Sequence, residues 1–157
     1  MQNERKTTCK MIDTFKEDII LGEEIEHKLL KTRKTKYPKA YKVEGEFKDY
    51  DLFVPEKNIK IEVKRDIGSN KSDNYFIECF CNGIASGIFA TKADYWVIFD
   101  ENKYIWINRF MLWYTATNKG KLWKGTPKGG CSEVVAYLVP KKEVINIATL
   151  ITIPHES

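Results

Sequence analysis

Asp51, Glu62 and Lys64 are the side chains whose types and spacing could do chemistry together. They lie in KDYDLFVPEKNIKIEVK, residues 48–64, where two alternating runs flank the turn-forming cluster Pro55-Glu56-Lys57-Asn58. That pattern predicts a β-hairpin. With those four residues as the loop, Val54 pairs with Ile59, Leu52 falls opposite Ile61, Tyr50 opposite Val63 and Asp51 opposite Glu62. Side chains alternate along a strand, so Tyr50, Leu52, Val54, Ile59, Ile61 and Val63 share an apolar face, while Asp51, Glu62 and Lys64 share the other. Two carboxylates directly across a sheet stand about 5 Å apart, an unfavourable pairing. At about 4 Å and an effective dielectric near 20 the repulsion is roughly 4 kcal/mol, large against a domain stability of about 5–15 kcal/mol. A positive group is therefore expected between them: a divalent cation, an extra proton, or Lys64. Hard oxygen ligands with few other partners favour Mg²⁺ or Mn²⁺. A plainer reading places Asp49 opposite Lys64 as a surface salt bridge and leaves Glu62 solvated.

The sequence Asp51 … Glu62-Val63-Lys64, on two adjacent strands, resembles the PD-(D/E)xK nuclease superfamily, with its restriction-endonuclease-like fold. Tyr50 stands where the motif's name has Pro. The resemblance implies that Asp51 and Glu62 hold one or two Mg²⁺ (or Mn²⁺) ions, that the carbonyl of Val63 or Ile61 adds an oxygen ligand, and that Lys64 activates or positions the attacking water. It implies an αβββαβ core, hydrolysis of DNA phosphodiesters, most simply as an endonuclease, and in many members a homodimer. A phage or DNA-repair setting would suit such an enzyme. The alternatives are RNA as substrate, or a non-catalytic module on the same fold that binds DNA or protein.

Composition sets the outer bounds. A chain of 157 residues is most simply one domain, 1–157, here with a core over about 12–100 and a C-terminal extension over about 101–157. Hydrophobic residues at 43% and aromatics at 13% argue for a packed core and against disorder. A net charge of +4 permits a polyanionic partner without requiring one. No apolar run has the length of a membrane span, and MQNERKTTCK lacks the apolar region of a signal peptide, so a cytoplasmic protein is expected. Four cysteines (Cys9, Cys79, Cys81, Cys131) without a C-x-x-C pair, and two histidines (His27, His155), argue against a zinc site and a histidine-based triad. No glycine-rich phosphate loop is present.

The elements that must position the hairpin follow in order. Ile12 to Thr32 reads as an amphipathic helix, capped at Asp13 or Thr14, with the stripe Ile12, Phe15, Ile19, Gly22, Glu26, Leu29. A carboxylate inside an apolar stripe is expensive to bury unpaired. In the resembling superfamily such a helix brings an acidic residue to the metal, and Glu26, four residues after Gly22, is that candidate, with Glu23 as the alternative. Ala40 to Glu46 is expected to be a strand leading into the hairpin, and Arg65 to Asp73 a loop. Asn74 to Cys81 alternates as a third strand and carries Glu78, a further ligand, a supporting group or a partner for Lys64. The segment 83–92 reads as a short helix or turn, with Lys92 available to phosphates. Ala93 to Asp100 reads as a central strand covered on both faces. Tyr104 to Asn108 is a strand, Arg109 to Thr117 a helix, Val134 to Val139 a closing strand and Lys141 to Leu150 a final helix. Asn118 to Gly130, with Lys119, Lys121, Lys124 and Lys128 among glycines, reads as a mobile basic loop for nucleic acid. The run Lys28 to Tyr41, rich in lysine and tyrosine, is a weaker candidate of the same kind. The fold class expected is α/β: a mixed central sheet with flanking helices.

Overall fold

Among the described residues ten strands form two sheets, packed with four helices, and the hairpin belongs to the larger sheet. The computed structural model describes residues 19–45, 48–66, 72–127 and 132–154. Residues 19–34 are helical (α1). The elements after it are β1 (Tyr41–Lys42), β2 (Leu52–Val54), β3 (Ile59–Arg65), β4 (Asn74–Cys81), β5 (Ile84–Ala85), α2 (Gly87–Ala90) and β6 (Tyr95–Asp100). Then come β7 (Lys103–Asn108), α3 (Arg109–Lys119), β8 (Lys121–Gly125), β9 (Val134–Pro140), α4 (Lys141–Ile147) and β10 (Leu150–Thr152). One sheet runs β1-β2-β3-β6-β7-β10 and the other β5-β4-β9-β8. The β3–β6 pairing is parallel and the others are antiparallel, so the fold is α/β with a mixed six-stranded sheet and flanking helices. No helix among the described residues is long and apolar enough to cross a membrane.

The hairpin register follows from the apolar alternation: Leu52 pairs with Ile61, Phe53 with Lys60 and Val54 with Ile59. Between the strands, Pro55–Lys57 form a single 3-10 turn closed by Asn58 in the left-handed region at φ 50°, a conformation Asn tolerates better than most residues. Leu52, Val54, Ile61 and Val63 are buried against Ile25, Leu29 and Leu30 of α1, with Val97, Tyr104 and Trp106 completing that core. The opposite face of the sheet contributes Trp96, Ile98, Ile105 and Ile107 to a second core, shared with β4, β9, α2, α3 and α4. β6 therefore feeds both cores, as its near-continuous apolar run requires.

Several expectations change. Ile12 to Asp18, with the proposed cap, lie outside the described residues. Ile19 is exposed, and α1 buries Ile25, Leu29 and Leu30, so the apolar stripe lies a few residues further along than expected. The strand before the hairpin is only Tyr41–Lys42. Tyr50 does not join the apolar face: Asp51 N–H donates to the Ile61 carbonyl, one residue out of register, and the Tyr50 ring then packs on Phe53 (centroids 6.0 Å) beneath the Lys60 ammonium. The third strand has the expected ends, Asn74–Cys81, but pairs in the second sheet with β5 and β9. Within the expected loop after Lys64, residues 67–71 lie outside the described residues.

As far as Gly125 the basic stretch is not a loop. α3 continues to Lys119, and Lys121–Gly125 form an edge strand paired to β9, with Trp123 against Phe76 at 5.1 Å between ring centroids. Leu122 and Trp123 supply cross-strand contacts that the glycines and lysines conceal in one dimension, and lysines suit an edge strand by discouraging further pairing. β9, expected to close a sheet, lies in the middle of the second one. The final helix stops at Ile147 and is followed by β10, which pairs with β7. Cys79 and Cys81 are free thiols; Cys79 is buried and lies 3.2 Å from the Val135 carbonyl.

Candidate functional site

The hairpin delivers Asp51 by a local device. Just before β2 begins, its Oδ2 accepts the Val63 N–H at 2.7 Å while its backbone carbonyl accepts the Val43 N–H at 2.8 Å. The side chain so takes the place of a backbone carbonyl in the ladder and is only 5% exposed. Glu62 and Lys64 lie on β3 beside Trp96 and Ile98 of β6, the face turned toward the second sheet. The Lys64 ammonium sits 5.5 Å from the Trp96 ring centroid and 2.8 Å from Glu62 Oε1.

Each carboxylate meets a lysine. Lys48 Nζ lies 2.9 Å from Asp51 Oδ1 and 3.7 Å from Glu26 Oε2, bridging strand and helix. Lys42 adds a contact of 3.1 Å to Glu26 Oε2 and one of 3.9 Å to the exposed Glu23. Glu26, not Glu23, is thus the helix carboxylate joined to the site. Its Oε2 is buried and has these ion-pair contacts, but no well-directed hydrogen bond. Glu62 is held above the usual carboxylate range: burial raises it, Lys64 lowers it, and the neighbouring Asp51 charge raises it again. Burial opposes the Lys64 charge, but Glu62, helped by Asp51 and Glu78, outweighs that and keeps the ammonium pKa above its ordinary value. Lys48 is raised in the same way, burial being more than offset by Asp51, Glu26 and Glu62.

The facing wall comes from β4 and α2. A bulge at β4 separates Glu78 from Phe80 in their pairing with β9, a device that re-aims side chains beside sites. Gly87, at φ +49°, packs so closely on the Glu78 backbone that a Cβ there would collide with its carbonyl. Glu78 acts on Lys64 through its charge. Trp96 Nε1 and Ser86 Oγ are buried polar atoms without hydrogen-bond partners.

No family model, curated protein or solved structure matches the chain. The site is therefore read from its own geometry.

Asp51, Glu62, Lys64 and Glu26 are brought into one electrostatic neighbourhood. The alternative salt bridge is overturned: Asp49 pairs with Lys92 at 3.2 Å, and Lys64 turns to Glu62. Lys92 thereby has a partner, as do Lys119 (Glu143, 3.9 Å) and Lys124 (Glu133, 3.5 Å); Lys121 lies on the edge strand, and Lys128 is outside the described residues. Among the described residues, no three His, Cys, Asp or Glu side chains converge tightly enough to cage a metal. The donor chemistry nonetheless suits a hard cation. Carboxylate oxygens are concentrated, Glu62 carries charge that its surroundings leave undercompensated, and the Lys48 ammonium already acts as a cation between Asp51 and Glu26. Lys42 and Lys48 were not foreseen from sequence. Lys48 lies three residues before Asp51, where the chain is unpleated and strand alternation carries no information.

Proposed function

We propose that the chain is a divalent-metal-dependent nuclease that hydrolyses DNA phosphodiesters, built on an αβββαβ restriction-endonuclease-like core. The correspondence would use α1, the β1-β2-β3 meander, α2 and β6, with the second sheet as an elaboration drawn from β4 and β5 before β6 and from β8 and β9 after it. One observation carries the reading: Asp51, at the entry to β2, and the Glu62–Lys64 ion pair of β3 (2.8 Å) act on one another's charges within one hairpin.

Asp51 and Glu62 would hold Mg²⁺ or Mn²⁺, with Glu26 and the Val63 carbonyl as further oxygens. Bound there, the metal would lower the pKa of water and offset charge on phosphate. The chain's own groups define the rest. Lys64, kept protonated by Glu62, donates hydrogen bonds to the attacking water and the phosphate oxygens as negative charge builds. The Glu78 charge adds to the field that keeps that ammonium protonated. Lys48 neutralises Asp51 and Glu26 until a divalent ion competes for their oxygens.

The test is incubation with supercoiled, linear and branched DNA, and with RNA, in Mg²⁺, Mn²⁺ or EDTA. Cleavage should stop in EDTA, and Lys64→Ala should slow it by about 10²–10⁴-fold, the usual worth of a positioned proton-handling group. Cleavage indifferent to both would overturn the reading. A second reading, a non-catalytic module binding DNA or protein, is favoured by one observation: Asp51, Glu26 and Glu62 each already have a lysine within 3.1 Å. Metal-independent DNA binding without cleavage would select it.

A further inference from the structure

α3 presents an outward face that no other element among the described residues covers. Leu112, Thr115 and Ala116 are buried, and Phe110, Met111, Trp113 and Tyr114 are exposed, Phe110 at 69% and Tyr114 at 59%. Phe110, Trp113 and Tyr114 stand at i, i+3 and i+4, so the three rings share one side of the helix. Apolar surface gathered in this way marks a contact with something.

Charge indicates what. From Asn102 to Ser132 the sequence contains no aspartate or glutamate, but six cationic side chains, Lys103, Arg109, Lys119, Lys121, Lys124 and Lys128, of which Lys119 and Lys124 meet acidic partners from outside the segment, Glu143 and Glu133. The Arg109 guanidinium lies 4.7 Å from the Phe110 ring centroid, and its Nε is buried without a hydrogen-bond partner. A polyanion that also offers flat apolar groups matches both the rings and the cations, and unpaired nucleotides have that chemistry.

The face is also connected to the acidic site. Arg109 donates from Nη1 to the Thr91 carbonyl at 2.7 Å, and the adjacent Lys92 pairs with Asp49, two residues before Asp51. We infer that α3 is a stacking platform for a single-stranded DNA segment adjoining the acidic site, with Phe110, Trp113 and Tyr114 against the bases and Arg109 toward the phosphates. The inference rests on the reading of that site as one acting on DNA, but its test does not depend on cleavage.

Binding is measured by fluorescence anisotropy in EDTA with the full-length Lys64→Ala protein, using labelled oligo(dT) of 20 nucleotides, a 20-base-pair duplex and oligo(U). Trp113→Ala and Tyr114→Ala should each weaken oligo(dT) binding by roughly 5- to 150-fold, the worth of one base–aromatic stack. Duplex affinity should change less than twofold, and raised salt should weaken binding throughout. Both positions are exposed, so melting temperatures close to the parent's will show that the variants are folded. Unchanged oligo(dT) affinity overturns the inference. So does a dimer that the substitutions convert to monomer without changing oligo(dT) affinity, which would make the face a subunit interface. Tight oligo(U) binding with weak oligo(dT) binding overturns the choice of DNA. Oligo(dT) binding lost in these variants while the wild type cuts no DNA would sink the nuclease reading alone.

Discussion

Replacing Asp51 should affect stability and chemistry separately, because its two oxygens have different partners. Oδ2 accepts the Val63 N–H at 2.7 Å, and Oδ1 meets Lys48 at 2.9 Å. Asp51→Ala strands a buried backbone donor and removes a hydrogen bond to a charged acceptor, worth roughly 1.5–3 kcal/mol. In a chain of this size 1 kcal/mol corresponds to roughly 2–4 °C in Tm, so the fall should be roughly 3–12 °C. Lys48 keeps Glu26 at 3.7 Å, and Glu62 loses an unfavourable neighbour, which places the result toward the lower end. Asp51→Asn retains an acceptor for Val63 but points an N–H donor at Lys48, and should recover about half of the lost stability. Neither variant should cleave DNA, nor gain Tm on addition of Mg²⁺ as the wild type should. Scanning fluorimetry with and without 5 mM Mg²⁺ (about the concentration needed to exceed a millimolar Kd), beside a plasmid-nicking assay, reads all of this. If Asp51→Ala melts with the wild type, the hydrogen bond to Val63 does not hold the strand. If Asp51→Asn cuts normally, the site has been misread.

Three other perturbations test neighbouring parts. Lys48→Met removes the ammonium between Asp51 and Glu26; the protein should be less stable in EDTA yet gain more Tm from Mg²⁺ than the wild type, and an equal gain would mean that Lys48 and metal do not compete. Gly87→Ala forces a Cβ into the Glu78 carbonyl at positive φ, and should cost at least about 1–3 kcal/mol in denaturant unfolding. Asp66 has its pKa pushed up to about 6 by burial and by Asp100, partly opposed by Lys141. A carboxyl raised on folding binds more protons in the folded state, so its contribution falls as pH rises from about 4, the unfolded value, to about 6. Asp66→Asn should flatten the melting profile across that window, and an unchanged slope would place the titration elsewhere.

Period-two alternation was enough to specify the hairpin, its register from Leu52–Ile61 to Val54–Ile59 and the shared face of Glu62 and Lys64, because a slip of one residue would turn every apolar side chain outward. The ends of β4, the doubly covered β6 and the start of α3 were legible for the same local reasons. Other features depend on partners distant in the chain. β4 has the alternation of a third strand but does not reveal which sheet it joins. Lys121–Gly125 becomes a strand only because β9 offers an edge, which overrides glycine and lysine propensity. β10 is three residues that β7 alone makes into a strand. The lysines that neutralise the carboxylates come from β1 and from the turn before β2, and their approach to Glu26 was set by how α1 packs on the sheet. The sequence by itself determined which groups share a face within the paired lengths of β2 and β3, since that depends on covalent geometry over a few residues. The tertiary structure alone decided which charges meet across elements, since that depends on how the two cores bring those elements together.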